Sequence, residues 1–351
     1  VLDYISMGDL QNLAKQLFRL FSVVIVLIGL IFIWLLTYRS SQKAKEVLVI
    51  DEQKEENVWK TKDALSEIDN MPDVVKKGYY LIAETSKYMG PNAENFEDRY
   101  SGNNLACSNC HLQKGAQAGS GSWVGILERF PQFGGRGNKI GTIEDRINGC
   151  MERSMNGRML PSDSDKLVAI VAYMDWLSKG LPKERKAEFK GYPKIKIPAV
   201  AVNLEIGKQV YQKECVICHG ENGAGALNNT DGKGYTYPPL WGPDSYNDGA
   251  GMNRVITSAE FIKSNMPYLQ ATWDNPKLTD EEAYHVAGYI NSFSRPHKLN
   301  TENDYPDKKL KPVSTPYGPW VDNFSPEQHK YGPFPPIMDF YKEEYGITKT
   351  K

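Results

Sequence analysis

Cys107-Ser108-Asn109-Cys110-His111 is the stretch on which the reading of this chain turns. The C-x-x-C-H pattern is the attachment signature of a c-type haem. Its spacing has a chemical reason: two thiols three residues apart each form a thioether to one haem vinyl group, and the next residue then ligates the iron from the proximal side. The pattern recurs at Cys215-Val216-Ile217-Cys218-His219. One copy alone would leave room for a redox C-x-x-C or half of a structural zinc site. Two copies in helix-rich segments, neither with a second C-x-x-C beside it, set those readings aside. The expected cofactors are two covalently bound haem c groups, held by Cys107, Cys110 and His111 and by Cys215, Cys218 and His219. The expected fold class is mainly α, with two tandem cytochrome c domains, each carrying one covalent haem, behind an N-terminal transmembrane helix.

The remaining composition narrows the role. At 351 residues there is room for two ordinary domains plus extensions. Lysine and arginine number 42 against 43 acidic residues, so neither nucleic acid nor a polybasic membrane surface is an expected partner. Four of the five cysteines belong to the motifs and Cys150 is left over, either as a small buried hydrophobe or as a functional thiol. Residues Leu20 to Leu36 are apolar apart from Ser22 and Gly29. With Thr37 and Tyr38 they make about 19 residues, enough to cross ~30 Å of hydrocarbon. Arg19 and Arg39 bracket the run, and Trp34 and Tyr38 suit an interfacial belt. Thr37-Tyr38-Arg39-Ser40 offers no signal-peptide cleavage site, so the expectation is a retained anchor. Charge does not orient it, because Lys15 and Arg19 face Arg39, Lys43 and Lys45 across the run. Covalent haem is installed on the outer face of the energised membrane. The expected location is therefore the bacterial inner membrane, with a single N-terminal span and both haem domains in the periplasm.

The chain then divides as anchor (1–40), charged stalk (41–71), first cytochrome c domain (72–182), linker (183–200), second cytochrome c domain (201–296) and extended tail (297–351). The stalk has a thin apolar pattern of Val47, Val49, Val58, Trp59, Leu65 and Ile68. In the first domain Val74, Val75, Gly78, Tyr79, Ile82 and Ala83 recur at helical spacing. The glycine-rich residues 113–141 read as a loop around the haem. Thr142-Ile143-Glu144-Asp145 is a capping box that opens a helix to about Met155. Another helix runs from Ser164 to Ser178, with Asp163 or Ser162 as cap. The second domain repeats the plan with helices over 203–213, 258–265 and 280–293. The linker is rich in lysine and proline. The tail, rich in proline, tyrosine and charge, is expected to drape over both domains.

Each iron has a sixth position to fill. Met266-Pro267, after a short helix, suits a distal methionine, and His/Met ligation raises the potential for electron transfer. Met252 is a rival, and Lys263 stands one helical turn earlier as an alternative ligand. In the first domain Arg146, Cys150 and Ser154 recur every four residues and share one sector of their helix. A cation beside a thiol favours the thiolate, the better nucleophile and an iron ligand. Met151, Met155 and Met159 offer ordinary His/Met ligation instead. Arg136, in Gly134-Gly135-Arg136-Gly137, would as a second cation favour a small dianion. His285, His297 and His329 receive no role.

Four stretches carry a family likeness: Leu105 to Leu112 around the first motif, Arg129-Phe130-Pro131-Gln132-Phe133, Glu144-Asp145-Arg146-Ile147-Asn148-Gly149-Cys150, and Arg153-Ser154-Met155-Asn156-Gly157. In these the chain resembles the dihaem thiosulfate dehydrogenases and tetrathionate reductases. The likeness runs from about Lys77 into the tail, including Tyr317-Gly318-Pro319 and His329-Lys330-Tyr331-Gly332-Pro333. It implies His111 and Cys150 as axial ligands of a catalytic haem, with Arg136, Arg146 and Ser154 binding a small anionic sulfur substrate. It implies His219 opposite Met266 at the second haem, with Lys263 as the ligand that exchanges. Two thiosulfates would be joined into tetrathionate, or the reverse, with electrons passing to a cytochrome c or respiratory-complex partner. A membrane anchor departs from the soluble members of that family. The alternative is a non-catalytic dihaem electron-transfer subunit of a membrane respiratory complex.

Overall fold

A computed structural model of the chain describes residues 7–56, 59–228 and 232–351. Val58, part of the expected stalk pattern, lies outside them. The chain forms two compact units, Val1–Lys60 and Thr61–Lys351.

In the first unit, residues 7–56 form one helix, α1 (Met7–Glu56). Its stretch Leu10–Arg39 is long and apolar enough to cross a membrane, and none of it is buried within the protein. Two hydroxyls within this stretch bond back to the helix's own carbonyls. Ser22 Oγ donates to the Phe18 carbonyl at 2.8 Å, and Thr37 Oγ1 to the Ile33 and Trp34 carbonyls. Trp34 and Tyr38 stack at 5.6 Å. Apolar side chains outward and hydroxyls folded back onto the backbone suit a hydrocarbon solvent, where an unpaired polar group is expensive. The helix continues through 41–56, the first half of the expected stalk. Residues 61–71 behave differently: Ala64 and Met71 are buried in the second unit. The globular part therefore begins about ten residues before the boundary at 72, since two apolar side chains suffice to pin this segment down.

In the second unit, α2 (Asp73–Ala83) packs on α5 (Asp165–Ser178). Val75, Tyr79 and Ile82 face inward, whereas Val74 is exposed. At their crossing a Cβ on Gly78 would stand 2.0 Å from the Ala169 carbonyl oxygen, so only glycine permits this approach. α5 starts after Ser164, whose Oγ accepts from the Lys166 N–H, so neither Asp163 nor Ser162 is the cap. After α3 (Thr85–Met89) and the first haem motif, the segment read as loop contains a hairpin, β1 (Gln132–Gly134) with β2 (Lys139–Gly141). Then comes α4 (Ile143–Arg153), with Thr142 as its cap. Asp145 N–H donates to Thr142 Oγ1 at 3.3 Å and Thr142 N–H to Asp145 Oδ2 at 3.0 Å.

The second haem region repeats the plan. Asn203 caps α6 (Leu204–Glu214), and α7 (Val216–His219) carries the second motif. A small hairpin, β3 (Ala226–Leu227) with β4 (Tyr235–Tyr237), precedes α8 (Val255–Asn265) and α9 (Asp280–Ser292). Here Gly207 lets α6 cross α9, its Cβ position being 2.3 Å from the His285 carbonyl oxygen. α8 begins three residues earlier than its pattern indicated. Arg254 precedes it with no side-chain cap, so nothing local marks the start.

Neither the linker nor the tail is a passive spacer. Phe189 and Ile195 are buried, and Tyr192 packs on the second core. The tail forms α10 (Pro326–Tyr331) and α11 (Pro335–Tyr345), and inserts Phe334, Ile337 and Tyr341 into that core. The two haem regions interlock through polar contacts. Asn103 Nδ2 donates to the Ser245 carbonyl, Asn247 Nδ2 to the Glu152 carbonyl and Asn265 Nδ2 to the Gly119 carbonyl.

Candidate active site

A tight turn over Cys107–Asn109 brings the first motif together, with the His111 N–H donating to the Cys107 carbonyl at 3.0 Å. Both thiols and the imidazole face a cavity of about 370 Å³, walled by apolar residues including Ile82, Trp123, Ile147 and Met174. His111 Nδ1 lies 2.8 Å from the Gly121 carbonyl oxygen. A carbonyl only accepts, so Nδ1 carries the proton and Nε2 is left as a metal donor. α7 does the same for the second motif: His219 Nδ1 is 2.8 Å from the Pro238 carbonyl oxygen. Burial lowers the His219 pKa, which keeps the imidazole neutral as ligation requires. Its cavity, about 680 Å³, also receives Cys215, Cys218, Met252 and Met266. At each site an apolar cavity, two unpaired thiols and an imidazole with one donor nitrogen fit a covalent haem. Leu105, Cys110, Tyr246 and Met252 line both cavities, which therefore share a wall.

The thiols fall into two chemical classes. Burial pushes Cys107 up to about 11 and Cys110 to about 12. Burial acts on Cys150 too, but the Arg146 guanidinium and a hydrogen bond with His111 outweigh it and bring the thiol down to about 6. Arg146 Nη1 stands 2.8 Å from Cys150 Sγ. Cys150 thus meets His111 in the first cavity as a thiolate, on a helix that also gives Ile143, Ile147 and Met151 to the same lining. Ser154, the residue closing α4, lines the same cavity. Of the alternative methionines, Met151 and Met155 also line it, whereas Met159 is exposed.

Two candidates are placed otherwise than their spacing implied. Arg136 sits at the turn of the β1–β2 hairpin, outside the cavity lining. Its Nη1 is ion-paired with Asp304 and also donates to Tyr317 Oη at 3.0 Å and the Gly249 carbonyl at 3.2 Å. Lys263 is ion-paired with Asp280 and does not line the second cavity. The physical reason is that α8 ends at Asn265 and Met266 adopts extended backbone, so helical spacing no longer relates 263 to 266. Met266 itself lines that cavity together with His219.

The tail supplies what spacing could not reveal. Asp304 accepts from Arg136 on one oxygen and from Arg153 Nη2 at 2.8 Å on the other, and Tyr317 Oη adds a bond of 2.7 Å. Burial opposes ionisation of Asp304, yet the two arginines and Tyr317 hold it below the usual carboxylate range. Tyr192 of the linker and Lys351 also line the first cavity. None of these has a local signal, because each reaches the site from a distant part of the chain. Only Tyr317-Gly318-Pro319 was marked at all, through the family likeness.

Residues 92–182 match the SoxA/TsdA cytochrome c domain and residues 204–294 the cytochrome c domain. The chain is 37% identical over 224 residues to a thiosulfate dehydrogenase of Stutzerimonas stutzeri, covering 64% of this chain and 68% of that protein. It is 41% identical over 219 residues to one of Allochromatium vinosum, covering 61% and 78%. A solved structure of the thiosulfate dehydrogenase TsdBA of Marichromatium purpuratum superposes with a TM-score of 0.58 at 34% identity. That match covers 66% of this chain, which spans only 49% of the solved one.

Proposed function

The chain belongs to the thiosulfate dehydrogenase family of cytochromes c, with two covalent haem c groups, and from that premise we propose that it joins two thiosulfates into tetrathionate, or runs the reverse, at Cys150. The observation that carries the proposal is the 2.8 Å contact of Arg146 with the Cys150 thiolate inside the cavity that receives the first haem motif. Arg146 holds Cys150 in its nucleophilic form and is placed to pair with an incoming anion. Ser154 adds a hydroxyl on the same wall, and Arg136 contributes positive field from behind Asp304. The outer sulfur of one thiosulfate bonds to Cys150 Sγ, giving a cysteine S-thiosulfonate and releasing two electrons. A second thiosulfate attacks that sulfur, expels the Cys150 thiolate and leaves as tetrathionate. The haem groups, when bound, supply the electron acceptors, His111 and Cys150 holding the first iron and His219 and Met266 the second. The wall shared by the two cavities favours passage between them and then to a cytochrome c or respiratory-complex partner. The apolar stretch of α1 supports anchoring in the bacterial inner membrane with the haem domains in the periplasm.

The test is the spectrum of the haem-loaded protein during anaerobic addition of thiosulfate, beside a Cys150→Gly variant. Prompt haem reduction with tetrathionate formed, both reduced about 10³-fold or more in the variant, is the expected result. Haems that stay oxidised with thiosulfate but reduce with a quinol-fed membrane fraction would overturn it in favour of a simple electron carrier.

A further inference from the structure

Arg129-Phe130-Pro131-Gln132-Phe133 carries part of the family likeness, yet the chemistry at Cys150 makes no use of it. Arg129, Phe130 and Gln132 all line the first haem cavity, and none of the three lines the second. Arg129 ends a short turn over Leu127–Arg129, and its Nη2 donates to the Ser122 carbonyl at 3.2 Å. Ser122 lies between two residues that steady His111. The Gly121 carbonyl accepts from the His111 Nδ1, and the Trp123 ring lies 4.7 Å from the imidazole. The guanidinium is thus tied to the segment that holds His111, whereas Arg146, Cys150 and Ser154 reach the cavity from α4 and its end.

A guanidinium withdrawn from water calls for an anionic partner. Among the described residues no carboxylate pairs with Arg129. Its neighbour Glu128 is ion-paired with Lys186 of the linker, and the Ser122 carbonyl occupies only one of the donors in the guanidinium fork. Burial lowers the Arg129 pKa with no acidic group acting against it. The chain therefore presents a cation to the first haem cavity with donors to spare.

The cofactor has the complementary charge. A haem c carries its vinyl groups on one edge and its propionates on the opposite edge. Cys107 and Cys110 fix the vinyl edge, and Cys110 stands on the wall that both cavities share. The propionate edge consequently points away from that wall, to which Arg129 does not belong. We propose that Arg129 binds a propionate carboxylate of the first haem and that its charge helps to set the potential of that haem. The planar fork of a guanidinium matches the two oxygens of a carboxylate. A fixed positive charge beside the macrocycle favours the reduced iron over the oxidised one. The contact depends on haem attachment alone, not on the thiosulfate chemistry proposed above; the rival anion for this guanidinium is the substrate itself.

The haem-loaded full chain is compared with Arg129→Leu and Arg129→Lys by redox titration with a chemical reductant, each ferric haem being followed by its own electron paramagnetic resonance signal. Resonance Raman spectra read the propionate bending bands. Arg129→Leu should lower the midpoint potential of the first haem, leave the second at its parental value and shift a propionate band. Arg129→Lys should recover much of the potential while the band stays shifted, because an ammonium keeps the charge and loses the fork. The KM for thiosulfate should stay within about twofold of the parent in both variants, any loss falling on turnover. Should Arg129→Leu fail to load haem, Arg129→Lys still has to show the shifted band. Parental bands and a parental first-haem potential in the variants would overturn the inference. A KM raised about tenfold or more at an unchanged potential would overturn it as well, and would assign the guanidinium to the substrate. The titration needs no turnover, so a parent inert towards thiosulfate would overturn the functional reading and leave the Arg129 contact to be decided by the potentials and bands.

Discussion

Cys150 acquires its character from two neighbours. Burial alone raises the pKa of a thiol, as at Cys107 and Cys110, whereas Arg146 and His111 reverse the sign of the shift for Cys150. Asp304 works one step behind, dividing its two oxygens between Arg136 and Arg153. It is 6% exposed, so its removal leaves two guanidiniums without their shared counter-charge in a dry setting. Asp304→Asn should lose about 3–5 kcal/mol of stability, the usual result of breaking a buried pair from one side. Denaturant unfolding of the haem-loaded protein reads this directly, and a midpoint equal to the parent would refute it. The spacing of Arg146, Cys150 and Ser154 was legible in the sequence, since a helix fixes which residues share a face. The pairing of Arg136 with a residue 168 positions away was not.

Elements set those residues in place, and their ends matter more than their middles. The Thr142–Asp145 capping box determines where α4 starts and therefore which way Cys150 points. Thr142→Ala should cost about 1 kcal/mol in thermal or denaturant unfolding and lower turnover without loss of haem; no change in either would mean that tertiary packing alone holds α4. At the other end of the scale of legibility is α8, whose last residue decides that Met266, not Lys263, faces the second cavity. In the tail, Lys311 is fully buried and donates to the Tyr317 and Pro319 carbonyls at 2.8 and 3.0 Å. Burial draws its pKa down from 10.5 to about 8. Between those two values the unfolded chain binds the proton that the folded one has released, so stability rises with pH there, and below about 8 the burial cost is present in full. The unfolding midpoint should thus rise from pH 8 to 10 in the parent relative to Lys311→Met. Parallel pH profiles would show that Lys311 keeps its proton throughout.

At the scale of the molecule the chain is a helix that buries none of its apolar stretch and a globular unit that begins at Thr61. The second unit contains both haem motifs, Cys150, the tail and all of the packing that joins them. A chain starting at Thr61 should therefore be soluble without detergent, hold both haems and turn over thiosulfate with a soluble acceptor within about twofold of the full chain, as expected of a self-contained domain. The full chain should instead partition into detergent or vesicles. A shortened chain that aggregates, or a full chain that stays in the aqueous phase, would contradict this division.

The sequence by itself determined the class of protein, the haem attachment residues, the apolar N-terminal helix and the helix that carries Cys150. These are local properties: a thiol spacing matched to two vinyl groups, a run of apolar residues, a cap and a period. Only the tertiary structure decided that the linker and tail belong to the core, that Asp304 restrains Arg136 and that Lys263 turns to Asp280. Each of those depends on side chains brought together from distant positions, and a pairing energy between charges is set by where the fold places them and how much water it removes. No spacing along the chain encodes that.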